Sequence, residues 1–397
     1  MMMQDKRDSV IVGAVRTPVG SFLGSLSALP APRLGAAAIR EVINRTNVAT
    51  EDVDEVIMGN VLQGGVGQAP ARQAAIFAGL PSKVECMTIN KVCGSGLKSV
   101  MLASQAVALG DAETIVAGGM ESMSNAPYLL ERARQGYRLG HGELVDSMIK
   151  DGLWDVYNNF HMAHAAELCV RNLRITRDDQ DEFAAESYRR ALRAQERGWL
   201  AEEIVAVEVS QPKGSILVSE DEEPMKVKFD KIRTLKPAFQ KDGTITAANA
   251  SKINDGAAAV VVISAQRAEK LGLQPMARIL GSAAAARAPE EFPLAPVDAV
   301  RKVLDRTGLS LDSIDLFEIN EAFAAVALAA IRLLKLDAAR VNVNGGAVAF
   351  GHPIGASGAR LLTALLYEMK RRQAARGLVT LCIGGGEAVA MIVERTE

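Results

Sequence analysis

Along the first 123 residues the hydrophobic positions switch repeatedly between period two and the helical period, which predicts alternating strands and helices. The run SVIVGAVRT reads as a strand centred on 10–15, residues 34–44 as an amphipathic helix, and 53–58 as a strand closing at Gly59-Asn60. Residues 68–78 form another helix, and 113–117 an apolar strand closed by Gly118-Gly119. This alternation predicts a largely parallel sheet covered on both faces.

The stretch 88–110, TINKVCGSGLKSVMLASQAVALG, carries the first chemical signal. A short apolar run meets Cys93, then Gly94-Ser95-Gly96. Leu97, Val100, Met101, Ser104 and Ala108 follow at helical spacing, and Gly110 is placed to end the helix. A cysteine ahead of a helix start feels the positive end of the dipole, which favours thiolate. The two glycines are read as allowing a sharp turn and a close substrate approach. A buried structural cysteine beside a glycine turn fits the same pattern.

From 124 to 247 the texture changes to charged helices and irregular segments. Thr176 opens a helix with a capping-box-like TRDD, and Gly198 stands where it should stop. Residues 211–243 are first acidic and then basic, with Lys226, Lys228, Lys231, Arg233 and Lys236. We read this segment as a large insertion whose irregular parts are binding surface. The α/β pattern resumes near residue 258, with a helix at 296–307 ahead of Gly308. The chain then echoes its first half at an offset of roughly 260–266 residues. VDEVIMGN (53–60) parallels IDLFEINE (314–321), CGSGLKSV (93–100) parallels GASGARLL (355–362), and ETIVAGGME (113–121) parallels VTLCIGGGE (379–387). The expected organisation is a first half over 1–123, completed by 248–274, an insertion over 124–247, and a second half over 275–397.

Composition narrows the function classes. A chain of 397 residues is too long for one simple core. A net charge of −2 supplies no field for nucleic acid or an anionic membrane, and no apolar run is expected to span a membrane. Cys86, Cys93, Cys169 and Cys382 are scattered, which excludes a disulfide framework or zinc ribbon and points to a reducing compartment. The first residues carry charge rather than a signal-type apolar core, so the expectation is cytoplasmic.

Three loops of the second half offer partners for Cys93. His352 lies in the glycine-rich NGGAVAFGHPIGASGAR (344–360), Cys382 near the end of the apolar strand LCIGGGE (381–387), and Asn320 in NEAF where a strand gives way to a helix. Ligands of α/β sheets bind at the carboxyl ends of strands, where all four loops would converge if the halves pack face to face. Taken singly, His352 fits a satisfied loop histidine, Cys382 a small buried hydrophobe and Asn320 a helix cap.

The combination CGSG, GGMESMS (118–124), NEAF, GHPIG and CxGGG, in that order, resembles the thiolases essentially end to end. HM at 161–162 and TAANAS at 246–251 resemble the short-chain, acetoacetyl-CoA type; FPLAPVDA, DEEP and LKPAFQKDGT are most similar to the animal mitochondrial form. The resemblance implies a thiolase fold, α/β, with two βαβαβαββ halves in a layered αβαβα core, and a homotetramer. It implies reversible condensation of two acetyl-CoA to acetoacetyl-CoA and free coenzyme A, with no redox cofactor. Cys93 would be the acyl-carrying nucleophile, His352 its activator, and Cys382 the acid/base. Asn320 would hold a water in one oxyanion hole, with His352, and the N–H groups of Cys93 and Gly384 would form a second.

For coenzyme A the resemblance implies a pantetheine path along Leu153, His161, Met162, Phe239, Ala250 and Ser251, with Ala322 and Phe323 opposite. The nucleotide phosphates would meet Lys226, Val227, Lys228 and Lys231, where Lys226 and Lys228 replace the family's Arg and Asp. A potassium ion is implied at the Tyr188 hydroxyl and at backbone carbonyls of Ala247, Ala248, Ala250 and Val348. Two further departures are Ala163, where the family usually has glycine, and Glu387 beside the second catalytic loop. If Glu387 faces the site it raises the Cys382 thiol pKa; facing out, it is silent. His161, His164 and Glu167 share a helix face in the manner of a metal site, but His161 is assigned to the pocket. A thiolase-fold ketoacyl synthase usually lacks a second catalytic cysteine, and a non-catalytic acyl-CoA binder would not need all four groups.

Overall fold

The computed structural model describes residues 7–212 and 214–396, so the reading of the first six residues lies outside the described residues. Strand β1 (Ser9–Arg16) leads through α1 (Ala31–Thr46), β2 (Glu55–Gly59), α2 (Pro70–Ala78), β3 (Glu85–Ile89) and α3 (Ser95–Leu109) to β4 (Thr114–Ser122). The insertion contributes α4 (Met162–Leu173) and α5 (Arg177–Glu196). Thr176 caps α5 in a reciprocal capping box with Asp179, and left-handed Gly198 follows its end, as the sequence predicts. Strand β5 (Asn254–Ser264) then returns to the core. The rest of the chain forms β6 (Ala277–Ala286), α6 (Ala295–Thr307), β7 (Leu316–Ile319), α7 (Ala324–Leu334), α8 (Ser357–Arg372), β8 (Arg376–Ile383) and β9 (Glu387–Arg395).

The strands run in the order β7-β8-β9-β6-β1-β5-β4-β2-β3. The largely parallel sheet expected from the alternation is not what forms. Only β2/β3, β2/β4 and β7/β8 are parallel, and the pairs from β4 through β8 are antiparallel. The reason is that each half returns its last strand between two earlier ones: β5 between β1 and β4, β9 between β6 and β8. The first half therefore reads β3-β2-β4-β5-β1 and the second β7-β8-β9-β6. A parallel bridge from Phe317 to Val341 marks the position of β3's counterpart.

Among the described residues, only Val10 with Arg278 and Ile11 with Ala277 pair as strands across the halves. Their main contact is a helical layer, where α3 and α8 share one apolar cluster with both sets of strands through Leu97, Val100, Ile115, Val260, Leu361, Leu365, Leu381 and Val389. Helices α1 and α2 cover the outer face of the first half, α6 and α7 that of the second. The result is the five-layer helix–sheet–helix–sheet–helix arrangement. The window Val92–Leu109 has a mean hydropathy of 1.3 over 18 residues, enough by length and composition to cross a membrane. The expectation that no run reaches that length is thus corrected, and the window is the central core helix α3.

The crossing of α3 and α8 also revises the role given to the glycines. Gly94 has φ −82° and Gly96 lies inside α3, so neither makes a left-handed turn. A Cβ on Gly96 would lie 2.8 Å from the Ala359 amide nitrogen, and one on Gly358 would lie 2.3 Å from that of Leu97. The repeated GSG and ASG motifs let two helix backbones touch.

Candidate active site

The α3 crossing places Cys93 against the second half. The turn before it is strained: Val92, a β-branched residue, has φ +45°. Ser95 holds this turn, its hydroxyl accepting from the Lys91 N–H at 2.8 Å and donating to the Val92 carbonyl at 2.7 Å. Cys93 is half-buried and packs against Val61, Leu62, Met123, Leu153 and Ile354. Burial pushes its thiol up to about 11, against hydrogen bonds from the N–H groups of Gly384 and of Cys93 itself. The thiolate expected from the helix dipole is therefore not the resting form, because desolvation outweighs a partial charge.

Gly384 thus brings its amide toward Cys93 from the other half. It follows Cys382, which is buried at the end of β8. Desolvation first, and the neighbouring Cys93 second, push the Cys382 thiol well above its ordinary value. Gly385 and Gly386, with φ +89° and +91°, make the turn into β9.

His352 is buried, and its ring has two defined partners. Nδ1 lies 2.6 Å from the Ser357 hydroxyl, which itself donates to the Pro353 carbonyl at 2.9 Å. Nδ1 must then carry the proton, leaving Nε2 to accept from the Asn320 side-chain amide at 3.3 Å. Burial, reinforced by the Arg360 charge, lowers the imidazolium to about 3, so the ring is a neutral base. Asn320 is fully buried and its Oδ1 has no protein partner, which leaves an acceptor for a water or substrate group. The His352 N–H donates to Asn254 Oδ1 at 3.0 Å, fixing the loop as well as the ring.

Of the residues assigned to the pantetheine path, Met162, Ala250, Ala322 and Phe323 share one apolar cluster with Cys382, and Phe239 packs against it. His161 stacks on Phe239 at 4.7 Å, and Phe239 meets Phe323 edge-on at 6.5 Å. A Cβ on Gly384 would lie 3.8 Å from Met162 Cε, tying this wall to the catalytic loop. Leu153 lies on the Cys93 side. Ser251, half-buried, donates its N–H to the Ala322 carbonyl at 3.0 Å.

The basic residues separate. Lys228 and Lys231 are exposed, Lys231 sits 3.6 Å from Asp230, and Lys226 contacts Ser21 and lies 3.5 Å from Glu223. Val227 instead packs inward toward Tyr188 and Ala248. His161 caps α4, its Nδ1 accepting from the N–H of Ala163, whose buried methyl replaces the usual hydrogen. Glu167 is occupied by Thr244 and Ile245, and no metal-binding cluster occurs among the described residues. Glu387 faces out and pairs with Lys91 at 2.7 Å, so it is silent toward Cys382 and ties the two catalytic loops together. Of the potassium positions, the Ala250 and Val348 carbonyls accept from Lys252 Nζ at 3.3 and 2.8 Å. Ala247 and Ala248 lie in the same turn, and buried Tyr188 faces that ammonium.

Sequence reasoning passed over several supporting residues. Buried Glu121, of GGMESMS, accepts from the N–H groups of Val61, Leu62 and Gly355 and from Asn60, joining the halves. Glu321, of NEAF, accepts from Ser187, Asn342 and the Val348 N–H. A charged residue inside an otherwise small and apolar motif is the signal that would have marked both.

Comparisons with known proteins agree with this arrangement. Residues 9–266 match the family profile described as Thiolase, N-terminal domain, and 273–395 that described as Thiolase, C-terminal domain. An acetyl-CoA acetyltransferase of Pseudomonas aeruginosa is 55% identical over 98% of this chain and 100% of its own length. The mitochondrial acetyl-CoA acetyltransferase of Bos taurus is 51% identical over 97% of this chain and 91% of its own. The crystal structure of the Bacillus anthracis acetyl-CoA acetyltransferase superposes with a TM-score of 0.97 at 41% identity, covering 99% of this chain and 100% of that one. With both family profiles matched in order and the two-half site in place, this chain belongs to the thiolase family.

Proposed function

We propose that the chain is an acetyl-CoA C-acetyltransferase that interconverts two acetyl-CoA with acetoacetyl-CoA and free coenzyme A. The observation that carries this reading is the buried His352–Asn320 pair, with the free Asn320 Oδ1, at the junction of the halves where Cys93 and Cys382 approach each other.

The chemistry follows from the resting protonation states. Cys93 is a thiol and His352 a neutral base, so attack on the acetyl thioester is coupled to proton transfer from sulfur to Nε2. The carbonyl oxygen gains charge as the Cys93 S–C bond forms, and positioned N–H groups stabilise it. Coenzyme A leaves as a thiolate, which Cys382, kept protonated by burial, neutralises. The resulting Cys382 thiolate removes the α-proton of a second acetyl-CoA. The enolate carbon attacks the acetyl-Cys93 carbonyl, forming the C–C bond and expelling Cys93 sulfur, which takes its proton back from His352 Nε2. Thiolysis is the same path reversed.

The exposed Tyr128, Leu130, Tyr137, Leu139 and Leu144 in the insertion are suited to burial in a homotetramer. Four unpaired cysteines suit a reducing, cytoplasmic setting. The reaction fits short-chain acyl metabolism, including fatty acid and ketone-body chemistry. Potassium is not part of this reading, since an ammonium already engages the carbonyls assigned to it. Purified protein should give a CoA-dependent loss of acetoacetyl-CoA absorbance; no such loss removes the proposal.

A further inference from the structure

Lys252 follows the TAANAS turn and has no part in the acyl-transfer steps, yet its ammonium is turned inward. Nζ donates to the Val348 carbonyl at 2.8 Å and the Ala250 carbonyl at 3.3 Å, and lies 5.0 Å from the Tyr188 ring centroid. The backbone around it is a junction. The Asn249 carbonyl accepts from the Ala324 N–H at 2.8 Å, Ala250 bridges to Phe323, and the Lys252 carbonyl accepts from the His352 N–H at 3.3 Å. Val348 belongs to the single helical turn Ala347–Phe350, which ends at Gly351 immediately before His352. The ammonium therefore clamps the pantetheine wall to the segment that presents the catalytic base.

We infer that Lys252 is a positioning residue whose tethered ammonium serves as the site's own monovalent cation, making the enzyme independent of potassium. Carbonyl oxygens in this arrangement recognise a singly charged cation, and two such charges cannot share Ala250 and Val348. A covalently tethered cation needs no ion from solution and leaves the site with a fixed occupancy. The acidic groups facing it are Glu223, which precedes the turn Pro224–Lys226, and Glu321; Tyr188 on α5 is kept as the neutral phenol by burial.

This rests on the thiolase reading of His352, and the test separates the two. Thiolysis rate and thermal midpoint are measured for the unaltered protein in potassium, sodium and choline chloride at equal ionic strength and pH 7. The expected result is activity that differs less than about 1.5-fold among the salts. Threefold or greater potassium activation at pH 7 overturns the inference while leaving the thiolase reading intact; no thiolysis in any salt overturns that reading instead. Lys252→Ala should lower kcat about tenfold and regain most of it with potassium or ethylammonium, but not with choline. Wild-type kinetics in Lys252→Ala, or a defect that no cation relieves, refutes the cation role. Should that variant fail to fold, the salt comparison on the unaltered protein decides alone.

Discussion

The two halves of this chain carry the same glycine-rich words and use them for opposite purposes. In the first half, Gly118 and Gly119 lie flat within β4 because other backbone crowds them. A Cβ on Gly118 would stand 2.1 Å from the Ala258 carbonyl oxygen, and one on Gly119 2.0 Å from that of Gly355. In the second half, β8 stops at Ile383 and the glycines turn, leaving Gly384 with no protein atom nearer than 3.7 Å to a Cβ. Gly118 and Gly119 pack the molecule, as Gly386 does beside the Arg287 carbonyl, while Gly384 opens it. The acidic residues that close the two motifs divide likewise: Glu121 is buried under four donors, Glu387 is a partly exposed partner of Lys91. On the proposed reading, the repeated strand-end motif serves packing in the first half and proton transfer in the second.

Glycine substitutions break this comparison most sharply. Gly118→Ala should cost about 3 kcal/mol or more of stability, since only backbone can give way, and a thermal melt will register it. Gly384→Ala should leave the melt nearly unchanged while lowering kcat/KM about 100-fold, because its methyl enters the space between Val92 and Met162. A Gly384→Ala variant that unfolds, or one that turns over normally, would place this glycine with the packing set.

The resting protonation states give the next largest effect. Cys93 keeps its proton until pH nears 11, while His352 stays neutral above about 3. With a raised thiol pKa, the thiolate fraction is small at neutral pH and grows as pH rises. Alkylation of Cys93 by iodoacetamide without substrate should therefore climb continuously from pH 7 to 10. A plateau already reached by pH 7 would mean a preformed thiolate–imidazolium pair. The smallest effect concerns the loops' outer tie. Glu387→Gln removes a partly exposed ion pair worth at most about 1 kcal/mol and should change kcat only a few-fold, less at high salt. A loss of 100-fold would show that Glu387 acts inside the site.

Much of this was legible in the sequence because it is local. Strand–helix alternation, the α5 capping box and the order of five motifs depend on neighbours in the chain. What escaped depends on partners far away. The antiparallel centre of the sheet requires knowing that β5 and β9 insert between earlier strands, which no periodicity encodes. The glycines of CGSG look like turn residues until Ala359 is brought against Gly96. The dipole argument for Cys93 was sound in sign, but burial by residues as distant as Leu153 and Ile354 overrides it. Nothing local marks Lys252 until Val348, 96 positions away, is placed beside it.

The division of labour between the halves is tested most directly by following the acetyl group in Cys382→Ser. The variant is incubated with acetyl-CoA, quenched in acid and mapped by mass spectrometry while acetoacetyl-CoA is assayed in parallel. The account predicts acetyl on Cys93 with acetoacetyl-CoA formation reduced at least about 1,000-fold. Acetyl on any other residue, or condensation at the unaltered rate, would contradict it.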